Sequence, residues 1–169
     1  MGSHQSSRML TDVWLTPRWI TDLLGPFDLD PCAAPPPRPW ETARRNYLPA
    51  DNGLALPWRG TVWLNPPYSR EAEKWLARMG DHNNGIALTF ARTETGWFWD
   101  SIWERAAAIY FLRGRLHFHR ADGSRAEANA GAPSVIVGYG EAAMRLARLP
   151  DEGGRLIWNV SRRSARSAA

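Results

Sequence analysis

The order in which apolar runs and helical patterns follow one another constrains the fold of this chain most strongly. Apolar runs at 61–64, 85–90 and 108–112 have the length and composition of buried strands. Apolar residues at helical spacing over 72–79 follow the first run, and a second helix is predicted over about 95–105. Strands that alternate with helices predict an α/β protein whose compact sheet is covered on both faces, in three layers.

Further elements precede the first of these strands. The pattern predicts a helix over 16–24, a short strand over 27–30 and a short helix over 40–45. The intervening segment 31–39 contains five prolines in nine residues, which forbids a long helix. We therefore expect this segment to form an extended, constrained loop between two buried strands.

After residue 112 the pattern changes to shorter alternating pieces. Strand-like runs cover 115–119, 134–139 and 156–160, and a small helix is expected over 141–148. This part of the chain predicts an antiparallel portion late in the sheet.

Length and composition favour one domain, which we place at 10–160 of the 169 residues. Residues 1–9 have the character of a tag or a disordered start, and 161–169 of a basic, disordered tail. No apolar stretch is long enough to span a membrane, and the start lacks the pattern of a secretion signal. The single cysteine, Cys32, cannot form an internal disulfide, so we expect a reducing cytoplasm.

The net charge of +4 indicates nucleic-acid binding only weakly. Residues 1–160 carry 18 basic and 17 acidic side chains, so most of the excess comes from Arg162, Arg163 and Arg166. The functional interpretation therefore depends on motifs and their positions.

The tetrapeptide Asn65-Pro66-Pro67-Tyr68 directly follows a predicted buried strand, where open α/β sheets bind their ligands. The prolines stiffen the turn and remove two N–H donors, which leaves carbonyl oxygens as acceptors. Together with the Asn65 side-chain oxygen, these acceptors favour a planar exocyclic amine such as N6 of adenine. Tyr68 can stack on a base that is flipped out of its duplex. The alternative is a structural turn in which Asn65 caps the next helix.

Beyond this motif, the sequence resembles the phage-type DNA N6-adenine methyltransferases. The resemblance extends over about residues 10–140 in seven collinear blocks. These blocks are 16–19, 27–33, 51–54 with Trp58, 62–68, 91–95 with 97–98, 114–116 with Phe118, and 133–137. The resemblance implies a Rossmann-like methyltransferase fold, S-adenosylmethionine as cofactor, double-stranded DNA as substrate, and a phage or prophage origin with evasion of restriction.

The resemblance also implies roles for individual residues. Asn65, Pro66, Pro67 and Tyr68 match the family's catalytic motif. In the implied arrangement, Asp30 turns its carboxylate toward the ammonium group of the cofactor. The residues that match the family's cofactor-binding positions are Thr16, Pro17, Asp30, Pro31, Cys32 and Ala33. The structural alternatives are a loop-capping carboxylate for Asp30 and a plain helix cap for Thr16.

The sequence departs from the general methyltransferase pattern in two ways. Small residues and a proline at 32–35 replace the glycine-rich turn that is expected after the first strand. Only 35 positions separate Asp30 from Asn65, so we expect a truncated strand set without the second strand and its ribose-binding acid. Asp51 is our substitute for that acid, and the alternative is an ordinary loop residue.

Four residues that follow predicted strands are candidates for contact with DNA phosphates: Arg92, Thr93, Arg113 and Arg115. Arg92 and Thr93 match a family block, and their alternative role is to lead into the next helix. The second pair forms either a phosphate-binding rim or a solvated edge. His117 and His119 share one strand face but lack a third ligand, so the sequence predicts no metal site.

The leading hypothesis is methyl transfer from S-adenosylmethionine to adenine N6 in DNA, by direct in-line attack on the methyl group. Because 169 residues leave no room for a separate recognition domain, we expect a short or relaxed recognition sequence. The same motif would also serve an RNA adenine, a cytosine N4 or a protein glutamine. A further alternative is a catalytically degenerate nucleic-acid-binding or anti-restriction module, which the missing glycine-rich turn would favour.

Overall fold

One mixed seven-stranded sheet organises residues 14–68 and 70–158, the part of the chain that this computed structural model describes. The order across the sheet is β2-β1-β3-β4-β6-β5-β7. The strands in chain order are β1 Leu29–Asp30, β2 Arg45–Asn46, β3 Val62–Leu64, β4 Gly85–Phe90, β5 Ala108–Leu112, β6 Ser134–Tyr139 and β7 Gly154–Trp158. The prediction of an α/β protein is confirmed.

The strand directions divide the sheet into a parallel and an antiparallel part. β1 to β4 are parallel, with β2 and β3 on either side of β1. β6 is antiparallel to both β4 and β5, and β7 is antiparallel to β5. The predicted late antiparallel portion is therefore present. Since β5 has the same direction as β4, the carboxyl ends of β1 to β5 meet at one side, which we call the carboxyl edge; the opposite side is the amino edge.

Helices cover both faces of the sheet. On one face lie α1 (Arg18–Leu24) and a 3-10 helix, Gly140–Arg148. On the other lie α2 (Ala72–His82) and α3 (Gly96–Phe98), which continues as a π-helical turn over Trp99–Trp103. No helix in the described residues is long and apolar enough to cross a membrane.

Two hydrophobic cores result from the alternation of side chains along the strands. In β3, Trp63 belongs to the core on the α1 side, whereas Val62 and Leu64 belong to the core on the α2 side. All three side chains are fully buried. The run is apolar at every position because the strand is covered on both faces.

The predicted helix over 40–45 and the predicted absence of a second strand are both wrong. The segment forms bends and then β2, which pairs in parallel with β1. The Arg45 N–H donates to the carbonyl of Asp28 at 3.0 Å, and the Tyr47 N–H donates to the carbonyl of Asp30 at 2.8 Å. Backbone donors that a helix would use internally are thus used by the sheet. Sequence spacing missed this strand because it is only two residues long.

Smaller differences concern the ends of elements. α1 begins at Arg18 with Pro17 as its N-cap, so Thr16 does not cap the helix. The predicted strand over 115–119 is absent, and His119 forms isolated bridges to Leu15 and Arg125 instead. The end of the last predicted strand, the predicted start 1–9 and the predicted tail 161–169 lie outside the described residues.

Candidate active site

A cavity of about 600 Å³ opens at the carboxyl edge beside β1 and β3. The chain reverses its direction of travel across the sheet here, because β2 lies on one side of β1 and β3 on the other. Such a switch point is where open α/β sheets bind ligands, and the volume is in the range of small-molecule sites. The lining residues include Thr16, Asp30, Pro31, Cys32, Ala33, Asn65, Pro66, Pro67 and Tyr68.

Asp30 ends β1 and is buried, with 3% of its surface exposed. One carboxylate oxygen, Oδ1, accepts the Cys32 N–H at 3.0 Å, and the other, Oδ2, accepts the Thr42 hydroxyl. Burial raises the pKa of Asp30 to about 6, against the opposing effect of these hydrogen bonds. At neutral pH the site therefore holds a desolvated negative charge, which a cationic ligand would stabilise.

Directly after β3, the side chains of Asn65 and Tyr68 are hydrogen-bonded to each other. The Tyr68 hydroxyl donates to Asn65 Oδ1 at 3.0 Å. Burial raises the pKa of Tyr68, so its hydroxyl stays protonated. Pro66 is buried and Pro67 is exposed. An amide oxygen accepts two hydrogen bonds, so Asn65 Oδ1 retains capacity for a ligand N–H.

The Tyr68 ring lies in an aromatic cluster. Its centroid is 4.1 Å from that of Phe90, with an angle of 19° between the planes, and 5.6 Å from that of Phe118, edge to face. Phe90 ends β4, and Phe118 comes from the long connection between β5 and β6. Two distant parts of the chain therefore hold the orientation of this ring.

The predicted cofactor-binding residues divide into two groups. Thr16 and the turn after β1 line the cavity, whereas Pro17 and Asp51 are not among its lining residues. The Asp51 carboxylate accepts the Leu48 N–H at 2.7 Å in an exposed 3-10 turn. Burial raises the pKa of Cys32 to about 12, so this thiol stays protonated.

The turn after β1 has no glycine that would let backbone approach closely. A glycine in a different turn, Gly53, allows a close approach instead. Gly53 lines the cavity, and its carbonyl accepts the Trp58 indole N–H at 2.8 Å. A Cβ at Gly53 would lie 1.9 Å from the carbonyl oxygen of Pro31. The two turns can therefore pack this closely only because residue 53 has no side chain.

The four candidate DNA contacts lie outside the cavity lining but at the same carboxyl edge. Arg92 and Thr93 follow β4, and Arg113 and Arg115 follow β5. The three arginines are exposed. The described residues contain no group of three or more His, Cys, Asp or Glu side chains arranged to hold a metal ion.

The sequence matches the family of DNA N-6-adenine-methyltransferases (Dam) over residues 3–147. The chain belongs to this family. A DNA N-6-adenine-methyltransferase of Escherichia phage T1 is 34% identical over 115 residues, which cover 62% of this chain and 46% of the phage protein. The chain thus spans about half the length of that relative. The comparison with solved structures found no match.

Family membership agrees with the resemblance seen in the sequence. That resemblance assigned no role to several neighbours of the site. Phe90, Phe118 and Arg38 contact or line it, yet no role was predicted for them. Phe90 could have been found as the last residue of the strand beside β3. Phe118 belongs to a family block, whereas Arg38 lies in a proline-rich loop without any pattern.

Proposed function

We propose that this protein transfers a methyl group from S-adenosylmethionine to N6 of adenine in double-stranded DNA, within a Rossmann-like methyltransferase fold. The observation that carries the proposal is the meeting of Asp30 and the Asn65–Tyr68 motif in one cavity at a switch point. Family membership supports it, and so does the parallel β2-β1-β3-β4 order.

The residues around the cavity fit S-adenosylmethionine. The volume of about 600 Å³ can hold it, and the buried Asp30 carboxylate matches the ammonium group of its amino-acid part. When bound, it supplies an electrophilic methyl group. We propose that Thr16, the turn over Pro31, Cys32 and Ala33, and the neighbouring Gly53 surround it. Pro17 and Asp51 stay predictions, and both lie outside the lining.

The Asn65 motif is proposed to bind the acceptor nitrogen. Asn65 Oδ1 and the Pro66 carbonyl would accept the two N–H groups of the adenine amine. These bonds favour a pyramidal nitrogen and concentrate its lone pair, which is otherwise delocalised into the ring. After transfer, the nitrogen releases one proton to solvent. Because the attacking nitrogen is neutral, the site needs no strong base.

Tyr68, which lines the cavity, is proposed to stack on the flipped adenine, while Phe90 supports its ring. Stacking of this kind contributes about 1–3 kcal/mol per base, which offsets part of the cost of unstacking. Outside the pocket, Arg92, Thr93 and Arg113 are proposed to contact phosphates at the carboxyl edge.

Mass spectrometry of nucleosides tests the proposal. Duplex DNA, RNA and protein are incubated with the enzyme and isotopically labelled S-adenosylmethionine, and the labelled product is identified. We expect N6-methyladenine from duplex DNA, and its loss by at least about 100-fold in Asn65→Ala. The control Asn84→Ala removes a hydrogen bond to Gly60 at the amino edge and should retain activity. Label in N4-methylcytosine, RNA or glutamine, or in no product, would refute the proposed substrate.

A further inference from the structure

Arg38 lies in the cavity wall, although its segment lacks regular secondary structure. Only 12% of its side chain is exposed, whereas the carboxylate that pairs with it, Glu41, is 59% exposed. Arginine is rarely this buried unless its charge is paired, as it is here with Glu41. The methyl-transfer chemistry proposed above assigns it no part.

The guanidinium of Arg38 is held in a fixed orientation. Nε and Nη2 donate to Glu41 Oε2 at 3.0 and 2.5 Å, and Nη1 donates to the carbonyl of Ala34. These bonds use three of the five N–H groups of the side chain, so two remain for a ligand. Because Glu41 is mostly solvated, its pairing positions the guanidinium and offsets its positive charge only in part.

Arg38 and Asp30 place opposite charges in the wall of the same cavity. The Asp30 carboxylate accepts hydrogen bonds from the Thr42 hydroxyl and the Cys32 N–H, and Arg38 pairs with Glu41. Asp30 and Arg38 therefore do not pair with each other. The positive charge of Arg38 lowers the pKa of Asp30, whereas burial and the negative charge of Glu41 raise it. A cavity with one buried carboxylate and one buried guanidinium is complementary to a zwitterion.

We propose that Arg38 binds the carboxylate of the amino-acid part of S-adenosylmethionine, while Asp30 faces its ammonium group. This inference rests on the proposed function, because it concerns the cofactor of that same cavity. The planar guanidinium gives a charge-assisted bond to a carboxylate, which Lys reproduces only in part. Arg38 thereby distinguishes a ligand with an intact amino acid from one that lacks the carboxylate.

Calorimetric titration of three ligands tests this role without any need for turnover. S-adenosylhomocysteine has both the ammonium and the carboxylate, decarboxylated S-adenosylmethionine keeps the ammonium and a sulfonium but lacks the carboxylate, and 5′-methylthioadenosine has no charged group. We expect Arg38→Gln to weaken S-adenosylhomocysteine binding by about 10- to 100-fold, since a charge-assisted bond is lost. Its affinity for 5′-methylthioadenosine should stay within about twofold, that for decarboxylated S-adenosylmethionine should not fall, and Arg38→Lys should be intermediate. Arg44→Gln, an exposed change in the same stretch of chain, should alter none.

The outcomes separate this inference from the proposed function. If the wild-type protein binds none of the ligands, the proposed function and this inference both fail. If it binds them and Arg38→Gln weakens all three equally, Arg38 only shapes the loop and the inference is overturned. Unchanged binding of S-adenosylhomocysteine overturns it as well. Should Arg38→Gln not fold, we compare how strongly the wild type and Arg38→Lys prefer S-adenosylhomocysteine over 5′-methylthioadenosine. A weaker preference in Arg38→Lys supports the inference, and an equal preference overturns it.

Discussion

Asp30 illustrates how a buried charge at the candidate site opposes stability. Burial raises its pKa from 3.8 to about 6, so the folded protein binds this proton more tightly than the unfolded chain does. The stabilisation from protonation is fully present below about pH 4 and is lost as the pH rises through about 6. At pH 7 the desolvated charge therefore costs about 3 kcal/mol, from a shift of about 2 units.

Asp30→Asn should therefore stabilise the protein while it impairs the site. The amide oxygen can accept the Cys32 N–H, and the amide nitrogen can donate to the Thr42 hydroxyl, so both contacts survive. We expect the free energy of unfolding in urea to rise by up to about 3 kcal/mol at pH 7, with the gain vanishing near pH 4. Binding of S-adenosylhomocysteine should be lost.

The control for this change is Asp22→Asn. Asp22 is exposed on α1 and pairs with Arg18 at 3.1 Å, so its loss should change stability by less than about 1 kcal/mol. A fall in stability of Asp30→Asn at pH 7 would contradict the burial argument.

At the scale of elements, the site is assembled by turns that follow different strands. The turn after β1 contributes Asp30, the one after β3 contributes Asn65, and Gly53 comes from the stretch after β2. The connection from β5 to β6 adds Phe118 against Tyr68. The geometry of the cavity therefore depends on how closely separate turns approach one another.

Gly53→Ala should disturb the cavity through this close approach. Its Cβ would lie 1.9 Å from the Pro31 carbonyl oxygen, so one of the two turns must move. We expect a loss of about 1–3 kcal/mol in the free energy of unfolding and at least about tenfold weaker binding of S-adenosylhomocysteine.

Gly96→Ala is the matched control, because an added Cβ at the start of α3 meets no atom within 4 Å. Its stability should stay equal or rise by up to about 1 kcal/mol. Unaltered stability and ligand affinity in Gly53→Ala would show that the turns have room to separate.

At the scale of the whole molecule, strand direction decides which charges lie at the edge where the cavity opens. Arg92 and Arg113 follow two strands of equal direction, so both lie at the edge where the cavity opens. Arg44 and Arg59 precede β2 and β3 and lie at the amino edge. The position of each charge relative to the cavity is thus a better guide to a DNA-binding surface than the net charge of +4.

The double variant Arg92→Gln with Arg113→Gln should bind duplex DNA more weakly. Loss of two phosphate contacts should reduce the slope of log affinity against log salt by about 2. Fluorescence anisotropy of a labelled duplex over a salt series measures both quantities. The double variant Arg44→Gln with Arg59→Gln removes equal charge from the amino edge and should leave the slope nearly unchanged. Equal effects of the two pairs would contradict a DNA surface at the carboxyl edge.

Much of the architecture could be predicted from local patterns. The run at 85–90 became β4 and the one at 108–112 became β5, because strands covered on both faces are apolar at nearly every position. The position of Asn65 after a buried strand was predicted for the same reason. A two-residue strand such as β2 has no such periodicity, and its pairing with β1 provides its stability.

The sequence by itself determined the identity of the α/β elements, the position of the Asn65–Tyr68 motif and membership of the family, because these depend on residue order alone. Only the tertiary structure decided which side chains share the cavity. It excluded Asp51 from the lining, brought Arg38 into the wall and stacked Phe90 on Tyr68. These contacts depend on which strands are neighbours, and pairing between distant segments leaves no signature in the local spacing of apolar residues.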